Sequence, residues 1–114
     1  MDTPPLIYLS AADVAAAMPP LEERLELAET TMLALVDDAQ LPPKIGVEPT
    51  PADSFAHAMP AWMRGAAADG SEDLLGLKWV VGFPQNAGRG LPSISATTIL
   101  SDAVTGLPLA CLLY

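Results

Sequence analysis

Lys78 stands inside Gly76-Leu77-Lys78-Trp79-Val80-Val81-Gly82-Phe83, an otherwise apolar run with strand character. An ammonium in such a run is costly unless it finds a partner or reaches water. Alternation along the strand puts Leu75, Leu77, Trp79, Val81 and Phe83 on one face, which is expected to be core. Gly76, Lys78, Val80 and Gly82 share the other face. Glycine in a strand often marks close approach to the backbone, so the two flanking glycines leave room beside the amine. An amine with room around it suits a small anionic ligand. A lysine on a solvent-facing strand fits the same pattern, and both readings stand at this point.

The chain has five cations, Arg24, Lys44, Arg64, Lys78 and Arg89. Lys44 follows Leu41-Pro42-Pro43, a stiff approach that either aims a cation into a cleft or simply opens a surface strand. Arg89, between Gly88 and Gly90, is free to grip a phosphate or carboxylate or to remain solvated. Ser93, Ser95, Thr97 and Ser101 alternate with Ile94, Ala96, Thr98 and Leu100, giving a hydroxyl face that meets a ligand or water. His57 is the one imidazole, with no second His, clustered Cys or suitably spaced carboxylate, so no metal site is expected. Met59 and the single Cys111 read as packing residues. No Gly-x-Gly-x-x-Gly follows a strand, and no serine-centred nucleophile elbow occurs.

The elements that must position these residues follow from spacing. Leu6–Leu9 reads as an opening strand. Ser10 and Asp13 form a capping box for a helix through Met18, which Pro19-Pro20 ends. Pro20 is expected at the first position of the next helix, where Leu21, Leu25, Ala28, Met32 and Leu35 make an apolar stripe. That helix frays at Asp37-Asp38, and Lys44–Glu48 is extended. Phe55–Trp62 reads as a strand broken at Met59-Pro60, and 65–73 as a loop. Strands are expected over Leu74–Phe83, Ser93–Ser101 and Leu107–Tyr114, with a turn at Asp102–Gly106 before the last. Strands clustered after helices give an α+β class, a mixed sheet with helices packed on one face.

The 114 residues suffice for one domain. A net charge of −9 argues against nucleic acid and against anionic membrane surfaces. No apolar stretch reaches the length needed to span a bilayer, no signal peptide is visible, and the lone cysteine fits a reducing compartment, so a cytoplasmic location is expected. At 51% hydrophobic, the chain is expected to leave an apolar face for a partner subunit or another domain. It stops within the apolar run Leu112-Leu113-Tyr114 and reads as the front part of a larger protein.

The segment Gly76 to Ile94, with its Phe83-Pro84-Gln85-Asn86 and Arg89-Gly90-Leu91-Pro92 loop, is followed by Asp102-Ala103-Val104-Thr105-Gly106-Leu107-Pro108-Leu109-Ala110. Together with Tyr8-Leu9-Ser10, Leu41-Pro42-Pro43-Lys44 and Met59-Pro60-Ala61, it resembles the ornithine cyclodeaminase/mu-crystallin family, in order along nearly the whole chain. The resemblance implies that residues 1–114 are an N-terminal substrate-binding and dimerisation domain, truncated. A C-terminal NAD(P)-binding Rossmann domain would lie outside them. It implies NAD or NADP as cofactor, a small amino or imino acid as substrate, and a homodimer. Lys78 matches the family's active-site lysine, catalytic and in contact with substrate. Lys44 falls where many members carry an arginine for the substrate carboxylate; lysine keeps the charge and loses the bidentate fork. His57 and Met59 join the substrate contacts. His57 stands where ornithine-specific members can carry an acid, which argues against a substrate with a distal ammonium. Ser93 matches a hydroxyl position near the cofactor. Two functions follow: part of an enzyme acting at a C–N bond, itself inactive alone, or a non-catalytic dimerising or ligand-binding module.

Overall fold

A computed structural model describes residues 2–66 and 72–113. The first strand, β1 (Ile7–Leu9), leads into helix α1 (Ala11–Ala17). The Ser10 hydroxyl accepts the Asp13 N–H at 3.1 Å and the Asp13 carboxylate accepts the Ser10 N–H at 2.9 Å, so the expected capping box forms. Helix α2 (Leu21–Ala34) follows. Pro20 is its cap, at ψ 155°, one residue before the helical position expected for it. Its carbonyl accepts the Arg24 N–H at 3.0 Å, closing the first turn.

The chain then enters the sheet with β2 (Ala39–Gln40), β3 (Ile45–Val47), β4 (Phe55–Met63), β5 (Leu74–Gly82), β6 (Ile94–Ser101) and β7 (Pro108–Leu113). Seven strands run in the order β1-β7-β6-β5-β4-β2, with β3 also on β4. The sheet is mixed: β1 pairs with β7 in parallel and every other pairing is antiparallel. With its helices, the chain has the expected α+β class. The expected 65–73 loop falls partly on 67–71, outside the described residues, as does Tyr114.

Strand β4 passes through Pro60 without a break, contrary to expectation. On its outer side β3 reaches only to Ala58 and β2 begins only at Trp62, so Pro60 lies in a gap between the two. No neighbour there needs the N–H that proline lacks. Strand β2 escapes sequence reading because two residues carry no pattern. It exists because Ala39 and Gln40 meet Met63 and Trp62, and the Asp38 carbonyl accepts the Arg64 N–H at 2.7 Å.

Burial departs from expectation. Leu75, Leu77, Trp79 and Val81 do share a face with Ile45, Ala58 and Ile99, but Trp79 is 43% exposed and Ile45 73%. That face is not a core within this chain. The α2 stripe is also open, with Leu21, Leu25 and Met32 all exposed. Among the described residues only Ser54, Ala56 and Gly82 are buried. The accessible surface is 8398 Å², against about 6,000 Å² for a compact monomer of this mass. The radius of gyration is 16.1 Å, against about 13 Å for a compact chain of this length. Thr31 of α2 joins Met59 and Lys78 around one cleft, so α2 passes above the opposite, Lys78-bearing face. α1 lies against β1 and β7.

The β6–β7 turn is built on Asp102. Its carboxylate accepts the Thr105 N–H at 2.6 Å, the Thr105 hydroxyl at 2.9 Å and the Val104 N–H at 3.0 Å. The two Thr105 contacts, chiefly its N–H, and then the Val104 N–H hold the carboxyl below its ordinary value of 3.8. A folded-state value below the unfolded one means stability that is present above the ordinary carboxylate range. It is lost as pH falls through the lowered value. Asp102→Asn is therefore expected to lower the unfolding midpoint at neutral pH. Its deficit relative to the parent chain should shrink once the pH drops beneath the normal carboxylate value, as read by thermal unfolding across an acid pH series.

Candidate functional site

Lys78 sits at the middle of β5, between Met59 of β4 and Thr98 of β6. The same cross-strand row continues through Leu112 of β7 to Leu9 of β1. Lys44 precedes β3 by one residue, and Ile45 pairs with Ala58. Continuing that register sets Lys44 beside Met59. Two strand spacings, roughly 10 Å, then separate the backbones of the two lysines. Both belong to one row of the sheet, although Lys44 is exposed and Lys78 half-buried.

A cleft of about 310 Å³ opens over this row, lined by Lys78, Met59, Thr98, Gly76, Leu100 and Thr31 among others. Its walls are mostly apolar. The described strands contain no Asp or Glu at all, and Lys78 is their one formally charged residue. In a chain of net charge −9 every described acid falls on helices, turns and loops. Among the described residues the ion pair present is Arg64–Asp38, at 3.9 Å and exposed on both sides, worth at most about 1 kcal/mol. Among the described residues Lys78 has no carboxylate within ion-pair distance. A half-buried ammonium among apolar walls, without a carboxylate nearby, has the charge and surroundings that suit a small anion.

The flanking glycines have a different use from the one expected. A Cβ on Gly82 would stand 2.2 Å from the Phe55 ring, so Phe55 occupies the space above Gly82. A Cβ on Gly76 would meet the Ile99 carbonyl and the Leu100 side chain at 3.1 Å. The room expected over Gly82 is thus taken by Phe55, and that at Gly76 is narrowed by Leu100 and the Ile99 carbonyl. What room remains beside Lys78 is the cleft over Gly76.

His57 lies one row along, paired with Gly46 and Val80. Its ring stacks on Phe55, with centroids 4.6 Å apart and planes at 25°. It lines a second hollow of about 600 Å³ inside the β3–β4 hairpin, where the Ser54 hydroxyl is buried without a partner. The five expected site residues therefore do not share one pocket. Lys78 and Met59 line the cleft, His57 lines the hairpin hollow, and Lys44 and Ser93 line neither. Among the described residues no three metal-ligating side chains converge.

Ser93 closes the loop after β5: its carbonyl accepts the Phe83 N–H at 2.7 Å. That loop, expected to be irregular, winds into a short 3-10 helix over Pro84–Arg89. Asn86 braces it, donating to the Pro92 carbonyl at 3.0 Å and accepting the Leu91 N–H at 3.0 Å. Gln85 donates to the Ala52 carbonyl at 3.1 Å, tying the loop to the hairpin. Gly90 turns the chain at φ 67°, a conformation natural to glycine, and Arg89 is left exposed. Sequence reading missed Phe55 and Gly46. The signal was there in part, since Phe55 and His57 are two apart on one strand, but their glycine beds appear only once the register is known.

A model of the ornithine cyclodeaminase/mu-crystallin family matches residues 9–112. Nodulation efficiency protein NfeD of Rhizobium meliloti is 37% identical over 105 residues, covering 91% of this chain and 31% of that protein. The structure of Thermococcus litoralis Δ1-pyrroline-2-carboxylate reductase with NADH and L-proline is 28% identical. It superposes with a TM-score of 0.80 over 95% of this chain and 32% of that one. An archaeal alanine dehydrogenase dimer with bound NAD is 31% identical, with a TM-score of 0.77 over 95% of this chain and 31% of that one. The chain thus spans about a third of the length of the curated relatives it matches.

The crowding above Gly82 sets a stability expectation. Gly82→Ala must displace the Phe55 ring, since its Cβ would stand 2.2 Å away. A loss of about 1–3 kcal/mol is expected, read as a lower urea midpoint at unchanged slope. Gly88→Ala, where an added Cβ would meet nothing within 4 Å, is expected to change the midpoint little.

Proposed function

Because the chain belongs to the ornithine cyclodeaminase/mu-crystallin family, we propose that it is the substrate-binding domain of an NAD(P)-dependent enzyme acting at the C–N bond of a small amino acid or cyclic imine. The observation that carries this reading is Lys78, a cation facing an apolar-walled cleft on a sheet without acids. The likeness to an alanine dehydrogenase and a Δ1-pyrroline-2-carboxylate reductase supports the substrate class. Lys44 approaches the substrate carboxylate from the hairpin side. Lys78 lies beside the reacting nitrogen, where it holds or relays a proton. Met59 packs against the substrate between them, and His57 meets its far end. Anchoring the carboxylate converts binding energy into a fixed orientation of Cα.

The nicotinamide dinucleotide that two solved relatives hold does not fit the described residues by themselves. The glycine-bearing turn at Gly88–Gly90 leads into β6, not into a helix, so that turn offers the pyrophosphate no helix N-terminus. In our reading a following Rossmann domain binds it, and Ser93 borders its reactive end. Activity therefore belongs to the longer protein.

A second reading, a dimerising or ligand-binding module without catalysis, is favoured by the open face around Trp79, Ile45 and Val47. In either reading this face pairs two copies. No described helix is long and apolar enough to cross a membrane, and a cytoplasmic setting accords with the free Cys111.

The proposal is tested on a protein carrying these residues together with a Rossmann domain, assayed for NAD(P)H turnover with cyclic imines and amino acids. Lys78→Ala is expected to lower kcat/KM by roughly a hundredfold or more, and normal turnover refutes the assigned role. Equilibrium sedimentation of the 114-residue chain is expected to find a dimer, and Trp79→Glu is expected to shift it toward monomer. A dimer unaffected by Trp79→Glu moves the interface elsewhere.

A further inference from the structure

Register sorts the hydroxyls of β6 onto two faces. Ser95 and Thr97 pair with Val81 and Trp79, so the hydroxyl face read from the sequence lies away from Lys78. The other stripe of β6, Ile94, Ala96, Thr98 and Leu100, is apolar except at Thr98. The stripe of β5 that faces the same way, Leu74, Gly76, Lys78, Val80 and Gly82, is apolar except at Lys78. These two exceptions are direct cross-strand partners. Their Cβ atoms stand about 5 Å apart, with Met59 on the far side of Lys78 and Leu112 on the far side of Thr98. Thr98 is half-buried and lines the cleft. Among the described residues its hydroxyl has no hydrogen-bond partner.

We propose that Thr98 is a further binding residue of the cleft, its hydroxyl oxygen accepting a hydrogen bond from the nitrogen of a small amino or imino acid. This rests on the reading that places the acid's carboxylate toward Lys44 and its nitrogen beside Lys78. An amine nitrogen brings N–H donors into the cleft, and each one buried without an acceptor is costly. Lys78 cannot serve, since an ammonium has donors and no acceptor. No carboxylate lies on the described strands. Among the described residues lining the cleft, only the side chains of Thr98 and Thr31 carry an oxygen. Thr31 is exposed on α2, and its hydroxyl donates to the Leu27 carbonyl at 2.7 Å. Thr98 is fixed by the β5–β6 ladder one strand from Lys78, so its oxygen is within reach of a nitrogen held there. Being neutral, it accepts from that nitrogen without pairing with Lys78 and cancelling its charge.

L-proline and cyclopentanecarboxylate, which has a methylene where proline has its nitrogen, are titrated into the 114-residue chain and followed by NMR. Thr98→Val keeps the shape and removes the acceptor. It is expected to weaken L-proline about tenfold and to leave cyclopentanecarboxylate within about twofold of the parent. Thr98→Ser is expected to retain L-proline, and Thr97→Val, the same change on the Trp79 face, to alter neither acid. Unchanged L-proline affinity in Thr98→Val overturns the proposal and leaves the carboxylate anchor standing. Equal weakening of both acids overturns it too, since that is a change of cleft shape. A parent chain that binds cyclopentanecarboxylate and not L-proline refutes the nitrogen contact alone. A parent chain that binds neither acid overturns the anchor reading, and the Thr98 contact with it. If Thr98→Val loses its dispersed amide spectrum, Thr98→Ala carries the same expectations.

Discussion

Backbone hydrogen bonding between β4, β5 and β6 holds this chain together, because side-chain burial contributes so little. Nine residue pairs join β4 to β5 and eight join β5 to β6. Each bond is worth about 1 kcal/mol net, and the sum requires neighbouring backbones to lie at ladder distance without obstruction. The glycines serve that requirement. Gly82 and Gly46 let aromatic rings lie flat over the strands beside them, and Gly76 lets the β6 backbone and Leu100 close in. The central strand can be nearly apolar on both faces because the ladder, not a core, secures it.

The same central strand carries Lys78, the one formal charge on the described strands. A charge at mid-sheet is held by a rigid element, so its position is defined better than on a loop. Its electrostatic isolation comes from the distribution of acids, all of them off the described strands. On the proposed reading, a carboxylate entering the cleft meets Lys78 in a setting less screened than open water. The braced loop of Asn86 and the hairpin tied to it through Gln85 frame one end of that surface. The contacts that brace the frame run between amide side chains and backbone carbonyls, so holding it in place uses no ion pair.

Much of the architecture was legible because local rules decide it. Ser10 and Asp13 announce a capping box in any context, and Asp102–Gly106 announces a turn. The run around Lys78 is a strand by composition alone. Where the reading failed, long-range pairing had decided. Pro60 looked like a strand breaker, yet it falls where β4 has no outer partner. Ala39 and Gln40 have no pattern of their own and become a strand only against Trp62 and Met63. The alternation of Leu75, Leu77, Trp79 and Val81 correctly predicts a shared face but not whether this chain can cover it. The candidate site was partly legible: Lys78 and Met59 do line one cleft, while His57 lines the hairpin hollow beside Phe55, a separation that only the strand register reveals.

The parallel pairing of β1 with β7 couples Ile7 to Ala110 and Leu9 to Leu112. It is the one ladder that links the two ends of the chain, and roughly a hundred residues must be ordered before it can close. Loop closure of that length is entropically expensive and slow relative to hairpin formation. The antiparallel meander from β4 to β7 thus has the kinetic advantage and assembles first, with the opening strand docking last. Until that moment one side of β7 offers a bare template to any extended segment nearby, which makes the interval before docking the period of greatest aggregation hazard.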